Sequence, residues 1–511
     1  MALLPFGSHT LFDLLARTAR AHPDAPFLVF EGVDGAVMQR SYEDMHERAV
    51  DMARVLLGYG VTPGDRVHVH MSNRPEFYDC WFGTAAIGAV MVPTNPQLTA
   101  AELAYVVDHA GCKVTVTQQH LAPGMADVQP PERVLVADGS GVIRLDGTDV
   151  STQTGALPVV HPLETAAVMY TSGTTSAPKG VLVTHANYLH AGNVVAQHLR
   201  VRPEDRWLVV LPLFHANAQY YSSMSALVSG ASVALIERFS ASRWGGQAVR
   251  HRATLASLFA APIRMVLAQQ RQDAPVKSLR AVIFSQNVTE AQLDEFERRF
   301  NTRLLQLYGM TETIAPPTLN PLYGPRNNMS IGRPTLGTRL RVVTRDGREA
   351  SFGETGELLV FGDPGTTLMA GYLGDESASA EAVRDGWLHT GDNVRFDKDG
   401  FVHFVDRGKD MIKRAGENIA AGEVEAVVNS HPAVFESAAV GVHDDMRDEA
   451  IKLFVVKRDG AELSEKMLIE FCAERLARFK VPSFVEFLDA LPRTPVGKIK
   501  KEELRERPAD A

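Results

Sequence analysis

Residues 170–180 read YTSGTTSAPKG and lie between two short apolar runs, 166–169 and 181–183, that we interpret as strands. Gly173 lets the backbone of this loop adopt positive φ values and approach a ligand closely. Successive backbone N–H groups in such a loop form an anion-binding concavity. Hydroxyl groups and one ammonium add donors and positive charge: Thr171, Ser172, Thr174, Thr175 and Lys179. The stretch therefore predicts a loop that binds a polyphosphate.

The order of residues in this loop differs from a Walker loop, because Pro178 stands where that pattern needs a glycine before the lysine. Loops rich in Ser, Thr and Gly are often ordinary turns. The full order T-S-G-T-T-x-x-P-K-G, however, resembles the phosphate loop of the adenylate-forming superfamily. That superfamily comprises acyl-CoA synthetases, luciferases and the adenylation domains of peptide synthetases.

Composition and charge are those of an ordinary globular protein, with 45% hydrophobic and 22% charged residues. The formal charge of −9 argues against a nucleic-acid surface. Cys80, Cys112 and Cys472 are far apart, fit no metal spacing and indicate buried thiols of a reducing compartment. We find no signal peptide, and the longest apolar run, 80–93, is too short to span a bilayer. We therefore expect a cytoplasmic protein without a membrane span.

Helix and strand signals alternate up to about residue 330 of the 511 residues. This alternation predicts an α/β fold whose large N-terminal domain holds two mainly parallel, doubly wound sheets. Short strands with Gly turns over 330–405 predict a small β-barrel-like subdomain or distorted sheet. Residues 411–511, after a charged joint at 406–410, predict a small α+β domain, which the resemblance implies is mobile. We place the boundary so that the domains are residues 1–408 and 409–511.

Helix starts are marked by residues that cap the first turn with a side-chain oxygen. The predicted capping residues are Thr10, Ser41 with Asp44, Thr99 with Glu102, and the segment 184–187. The helix after Thr99 has Gly111 as its expected C-terminal cap.

Residues 308–312, YGMTE, follow a predicted strand and resemble the adenine and metal motif of the superfamily. By that resemblance Tyr308, Gly309 and Met310 flank the adenine, and an aromatic face suits stacking on a purine. Thr311 is expected to contact the α-phosphate. Glu312 offers a hard oxygen ligand for Mg²⁺ held mainly by phosphates. The alternative is a strand end followed by an ordinary helix cap.

Residues 387–392, WLHTGD, resemble the ribose motif, in which Asp392 accepts the ribose hydroxyls. Taken alone, an Asp after Gly is more often a turn residue. The resemblance makes Arg407 a second contact to ribose or phosphate.

Residues 492–498, PRTPVGK, resemble the C-terminal motif that carries a catalytic lysine, here Lys498. A carboxylate that attacks an α-phosphate brings two anions together. A cation that bridges both groups opposes their repulsion and stabilises the transition state. The alternative is a basic tail without a fixed partner.

The predicted acyl pocket begins with Phe214-His215, an aromatic–His pair that the superfamily keeps beside its substrate. His215 is expected to orient the substrate carboxylate or to gate the pocket; otherwise it is a buried core histidine. Asn217, Gln219 and Gly309 complete the pocket. Amino-acid-activating relatives place Asp after this Phe to bind an α-ammonium group, so this chain is expected to take acids without one.

One segment departs from the superfamily pattern. Many members carry a Gly-Ala-Pro-like stretch against the adenine, whereas this chain reads Ser285-Gln286-Asn287. Together with Asn217 and Gln219, this segment resembles crotonobetaine/carnitine-CoA ligase-like members.

The resemblance implies an acyl-CoA synthetase that uses ATP, Mg²⁺ and CoA to activate a small carboxylic acid. It also implies rotation of the C-terminal domain about Lys409, which exchanges Lys498 for a face that lines the CoA tunnel. That face comprises Lys413, Arg414, Gly416 and Glu417. The open alternatives are an acyl-AMP ligase, an enzyme that loads an acyl carrier protein, and a non-catalytic acyl- or nucleotide-binding paralogue. A homodimer is also left open.

Overall fold

The computed structural model describes the chain over most of its length, and strands and helices are numbered here in chain order. The described residues are 9–139, 141–146, 150, 152–171, 178–269, 275–286, 288–407, 411–414, 417–444, 448–476, 478–494, 497 and 499–507. Within these ranges the strands form four sheets. None of the helices in the described part of the chain is long and apolar enough to cross a membrane.

The largest sheet is mainly parallel, as the alternation of helices and strands predicts. Its strands are β1 Pro26–Glu31, β2 Val37–Ser41, β10 Arg206–Val209, β11 Ser232–Ile236, β12 Leu255–Phe259, β13 Ala281–Ser285, β14 Leu304–Tyr308, β15 Thr318–Leu319 and β16 Arg333–Pro334. Their spatial order is β16-β15-β14-β13-β12-β10-β11-β1-β2. Only the pairs at its two ends, β1–β2, β14–β15 and β15–β16, are antiparallel.

The second sheet carries the predicted phosphate loop. Its strands are β3 Arg66–His70, β4 Val90–Thr94, β5 Cys112–Thr117, β6 Val134–Asp138, β7 Gly141–Arg144, β8 Thr165–Thr171, β9 Lys179–Thr184 and β19 Gly371–Tyr372. Their order is β19-β9-β8-β4-β3-β5-β6-β7. The expectation of a mainly parallel sheet holds for its centre, but β8 and β9 are antiparallel. The short connection between them is the reason, because a parallel crossover needs a dozen or more residues.

A third sheet follows in the chain and is antiparallel throughout, which corresponds to the predicted β-rich subdomain. Its strands are β17 Arg339–Val343, β18 Gly356–Phe361, β20 Val383–Arg384, β21 Trp387–Phe396 and β22 Val402–Arg407. The C-terminal part forms the fourth sheet, with β23 Met411–Arg414, β24 Glu417–Ala420, β25 Val434–Asp444, β26 Asp448–Lys457 and β27 Phe484–Phe487.

Helices cover the sheets, and α1, α2, α4 and α5 begin where the capping signals predict. The α-helices are α1 Leu11–Ala21, α2 Tyr42–Gly58, α3 Pro75–Ala86, α4 Ala100–Ala110, α5 His185–Leu199, α6 Met224–Ser229, α7 Trp244–Arg250, α8 Ala260–Leu267, α9 Glu290–Phe300, α10 Glu376–Ala382, α11 Ala421–Asn429, α12 Glu465–Ala473 and α13 Lys501–Arg505. Reciprocal capping boxes open α1, α2, α4 and α5. A π-helix, Asn217–Ser223, precedes α6 and was not predicted.

The buried hydrophobic side chains form separate clusters in the N-terminal and C-terminal parts of the chain. One large cluster of buried side chains extends from Leu11 to Val402 and joins the first three sheets. The described residues from Ile412 to Leu504 pack into two clusters of their own. The molecule therefore has a large N-terminal domain and a smaller C-terminal domain.

Candidate active site

The phosphate loop is carried by the β8–β9 hairpin, in which Thr171 is paired with Lys179. Close packing below the loop explains the glycine after the lysine: a Cβ on Gly180 would lie 2.6 Å from Cγ1 of Val168. The hydroxyl of Tyr105 on α4 donates to the Pro178 carbonyl at 3.2 Å. Both ends of the loop are thus fixed. The loop residues Ser172, Gly173, Thr174 and Thr175 lie outside the described residues.

Lys179 and Glu312 contact different parts of the same tyrosine, Tyr372. The Nζ atom of Lys179 lies 4.9 Å from the ring centroid of Tyr372. The Tyr372 hydroxyl donates to Oε1 of Glu312 at 3.1 Å. The fold thus brings together the predicted phosphate-binding lysine and the predicted metal ligand. Tyr372 was not predicted as a site residue, because a two-residue strand carries no periodic signal.

The loop that holds Thr311 and Glu312 is tightly constrained. A Cβ on Gly309 would lie 2.3 Å from the Tyr221 hydroxyl oxygen, so only glycine fits there without movement. The Thr313 hydroxyl accepts from the N–H of Met310 at 2.9 Å and closes a turn. Ile314, which is buried, has φ of 63°. A β-branched residue in this left-handed region is strained, and such strain persists where the surroundings enforce it.

The predicted adenine and ribose residues are in direct contact. The Tyr308 hydroxyl donates to Oδ2 of Asp392 at 2.5 Å, and both side chains are buried. Asp392 is paired with Arg407 across β21 and β22, which places the backbone of the second predicted ribose residue beside the first. The Thr390 hydroxyl accepts from the Asp392 N–H at 3.1 Å. Residues from two different sheets thus meet where the resemblance expects a nucleoside.

The wall expected to face the adenine begins at the carboxyl end of β13. Ser285 is its last residue, and Gln286 follows with φ of 75°. A non-glycine residue pays of order 1 kcal/mol for this conformation. Asn287 lies outside the described residues. The chain therefore keeps a glycine-type backbone conformation at Gln286, in the segment where it departs from the superfamily sequence.

Four of the five predicted acyl-pocket residues lie in or just before the π-helix, and Gly309 follows β14. His215 contacts Phe259 edge-on, with ring centroids 5.9 Å apart, and Phe214 is half-buried beside it. The Asn217 Oδ1 accepts from the Ser257 hydroxyl at 2.7 Å. Gln219 is fully buried, accepts from the Tyr188 hydroxyl and donates to the Leu213 carbonyl. Gln219 thus supports the wall of the pocket through its neighbours.

The C-terminal motif is described on both sides of Lys498, which itself lies outside the described residues. Gly497 has φ of 80°, and its carbonyl accepts from the Arg493 guanidinium. Arg493 also forms an ion pair with Glu436, whose Oε2 lies 3.7 Å from Nη2 of Arg264 on α8. The lysine motif is thus linked through Glu436 to the N-terminal domain.

The residues predicted for the hinge and the CoA tunnel are described in part. Arg414 is buried and donates to the Val481 carbonyl at 2.7 Å, which ties β23 to the segment before β27. Lys413 and Glu417 lie in β23 and β24. Lys409 and Gly416 lie outside the described residues, and their roles stay predictions.

Family comparisons cover most of the chain. Residues 15–373 match the family model of the AMP-binding enzymes, and residues 423–498 match that of the AMP-binding enzyme C-terminal domain. The chain belongs to the AMP-binding enzyme family. The first match holds every described residue predicted here for the phosphate, metal, adenine and acyl sites, and the second ends at Lys498.

Full-length relatives narrow the class of this AMP-binding enzyme. The crotonobetaine/carnitine–CoA ligase of Proteus mirabilis is 38% identical over 94% of this chain and 95% of its own length. Among solved structures, o-succinylbenzoate CoA synthetase (MenE) of Bacillus subtilis with its acyl-adenylate has a TM-score of 0.86 at 27% identity, covering 99% of each chain. ATP-bound MatB of Rhodopseudomonas palustris has a TM-score of 0.86 at 28% identity, covering 97% and 98%. The protein is an AMP-forming acid–thiol ligase.

Proposed function

We propose that this enzyme activates a small carboxylic acid that carries a quaternary ammonium group and no α-amino group. In the first step the carboxylate oxygen attacks the α-phosphorus of ATP, and pyrophosphate leaves. In the second step the CoA thiol attacks the acyl carbon of the acyl-adenylate, loses its proton, and releases AMP as the thioester forms. Crotonobetaine and carnitine, named for the Proteus relative, are the first candidate acids.

The observation that carries the two-step chemistry is the contact of Lys179 and Glu312 with one tyrosine, Tyr372. A cation at the ring and a carboxylate at the hydroxyl of one tyrosine suit a polyphosphate and its metal ion. The contact between Tyr308 and Asp392 supplies the nucleoside end of the same site. In the sequence, Thr311 lies between Tyr308 of the nucleoside end and Glu312 of the phosphate end.

Aromatic side chains support the choice of acid. Phe259 packs against His215, and the Tyr221 hydroxyl lies against Gly309, so each aromatic residue is next to a residue predicted for the acyl pocket. Quaternary ammonium groups bind to aromatic faces by cation–π attraction. His215 stands where an α-ammonium group would need a carboxylate. The protein therefore favours a cationic group at the far end of the acid over one at the α-carbon.

The residues fit Mg²⁺ at Glu312. Its carboxylate is a hard oxygen donor, it is 8% exposed, and its Oε1 accepts one oriented hydrogen bond. Mg²⁺ in phosphate sites is bound through one or two carboxylates plus substrate phosphates. The ion would neutralise charge on the leaving pyrophosphate.

The domain roles belong to the same proposal. We place the boundary between residues 408 and 409, with Lys409 as the hinge and Lys498 as the cation that bridges carboxylate and α-phosphate. Lys413, Arg414, Gly416 and Glu417 would form the CoA-facing surface after rotation. We place the enzyme in the cytoplasm, where the buried free thiols of Cys80, Cys112 and Cys472 persist.

A panel of acids tests the proposal, with pyrophosphate and acyl-CoA measured separately. We expect crotonobetaine or carnitine to give both products, butyrate to give much less, and free α-amino acids to give neither. Butyrate matches the chain length of crotonobetaine without its cation and is the control for the ammonium group. Pyrophosphate without thioester would instead identify an acyl-AMP ligase. Pyrophosphate release with an α-amino acid at the rate of the best acid would refute the assignment of the pocket.

A further inference from the structure

Tyr372 contacts both of the charged side chains that the proposed reaction needs, Lys179 and Glu312. Its ring faces the Lys179 ammonium at 4.9 Å, and its hydroxyl donates to Glu312 at 3.1 Å. Lys179 ends the phosphate loop, and Glu312 belongs to a loop that follows a different sheet. Tyr372 is thus a described residue that contacts both.

The backbone of Tyr372 is fixed to the phosphate-loop hairpin. Strand β19 pairs with β9, with Tyr372 opposite Val181. The N–H of Leu373 donates to the Gly180 carbonyl at 2.8 Å, and the N–H of Tyr372 donates to the Ser379 hydroxyl at 2.8 Å. The ring therefore moves with the phosphate loop.

The same segment is fixed to the loop that holds the carboxylate. The N–H of Met369 donates to the Glu312 carbonyl at 3.0 Å. Glu312 is thus held at its backbone by Met369 and at its carboxylate by Tyr372. The strand β19 and the residues before it fix the distance between the lysine and the carboxylate.

We propose that Tyr372 is a positioning residue that keeps Lys179 and Glu312 from pairing with each other. A lysine and a glutamate in direct contact would neutralise each other and leave neither charge for the substrate. The ring attracts the ammonium without neutralising it. The hydroxyl orients the carboxylate, as partners of metal-binding carboxylates commonly do. Lys179 stays available for phosphate oxygens, and Glu312 for the metal ion.

This inference rests on the proposed roles of Lys179 and Glu312, and two variants separate the functions of the side chain. Tyr372→Phe keeps the ring and removes the hydroxyl. It is expected to raise the Mg²⁺ concentration at half-maximal pyrophosphate release about tenfold, the lower bound for loss of such a partner. Tyr372→Leu removes the ring as well. It is expected in addition to weaken ATP binding in EDTA several-fold, because Lys179 is then free to pair with Glu312.

A purely structural role of Tyr372 would change the binding of ATP and AMP equally. The informative measurement therefore compares how each variant binds the two nucleotides. Binding is measured by calorimetry with ATP in EDTA, ATP with Mg²⁺, and AMP. AMP lacks the phosphates that Lys179 and Glu312 serve, so its dissociation constant is expected to stay within twofold in both variants. Tyr323→Phe, at an exposed tyrosine, is the matched control and should change none of these values.

Two results would overturn the inference. One is an unchanged Mg²⁺ requirement in Tyr372→Phe, and the other is an equal loss of ATP and AMP binding, which would indicate general damage. Glu312→Gln distinguishes the inference from the proposed function. If Glu312→Gln shifts the Mg²⁺ requirement and Tyr372→Phe does not, only the role of Tyr372 is wrong. If neither variant shifts it, the metal role of Glu312 fails too.

Discussion

Replacing Gly309 by alanine should displace the loop at the centre of the site. The new Cβ would lie 2.3 Å from the Tyr221 hydroxyl oxygen, more than 1 Å closer than the ordinary contact distance of about 3.4 Å. Tyr221 is buried, and because buried side chains are closely packed, its ring would have to displace its neighbours to move. Overpacking of this kind costs about 1–3 kcal/mol of stability. A shift of about 1 Å at reacting groups costs roughly 100-fold in rate, and we expect that loss in pyrophosphate release.

A second substitution, Tyr221→Phe, should relieve this steric clash. With the hydroxyl removed by Tyr221→Phe, the nearest remaining ring atom, Cζ, would lie 3.5 Å from the new Cβ, which is an ordinary contact. The Gly309→Ala/Tyr221→Phe double variant should therefore recover most of the activity and thermal stability, with Tyr221→Phe alone as the reference. Pyrophosphate release within threefold of the parent in Gly309→Ala, or a double variant no better than the single one, would refute the reasoning.

Three further predictions concern the lysine, the hinge and pH. Lys498→Ala should lower adenylation by about 10³–10⁵ and spare thioester formation from supplied acyl-adenylate; adenylation within tenfold of the parent contradicts it. Lys409→Pro should fix one domain arrangement, because proline locks φ. Pyrophosphate exchange should survive, and single-turnover acyl transfer to CoA should fall. Equal losses of both activities would indicate destabilisation of the fold instead. Burial lowers the pKa of His68 to about 3 and of His70 to about 4. Unfolding returns both pKa values to about 6.5, so below that pH the unfolded state binds more protons than the folded state. Each histidine therefore lowers the free energy of unfolding by about 2 kcal/mol at pH 5. Urea unfolding of His70→Asn should show a smaller loss between pH 7 and pH 5 than the parent; an equal loss contradicts the assignment.

Local signals explain why so much of the fold was predictable. A Thr or Ser followed three residues later by Asp or Glu satisfies orphan N–H groups locally, and the predicted boxes at Ser41 and Thr99 both form. Thr10, predicted as a cap, forms a reciprocal box with Asp13. The left-handed cap at Gly111, with φ of 60°, follows from the same kind of rule. The buried strands β8 and β9 were likewise visible as the short apolar runs 166–169 and 181–183.

Contacts between distant segments were not predictable from local rules. The antiparallel pairing of β8 with β9 is a different case, because the short loop between them already excluded a parallel crossover. The Tyr308–Asp392 hydrogen bond joins residues on different sheets, and its existence depends on how those sheets pack. The left-handed conformation of Gln286 was not predicted, because glutamine does not favour it. The motif resemblance supplied the roles of these residues but not their contacts.

Some loops of the site follow parallel strands of one sheet, whereas the phosphate loop is the turn of a hairpin in another sheet. A further strand, β19, is therefore needed to hold these loops together. Parallel strands such as β13 and β14 deliver their loops at one edge of a sheet, which brings Gln286 and Tyr308 together without further support. The phosphate loop is instead the turn of a hairpin and belongs to another sheet. Its distance from Glu312 is therefore not set by either sheet alone. Strand β19 pairs with β9, and the residue before it in the chain, Ala370, donates to the Leu182 carbonyl while Met369 donates to the Glu312 carbonyl. One short segment thus fixes the hairpin to the carboxylate loop, and Tyr372 lies where those two constraints meet.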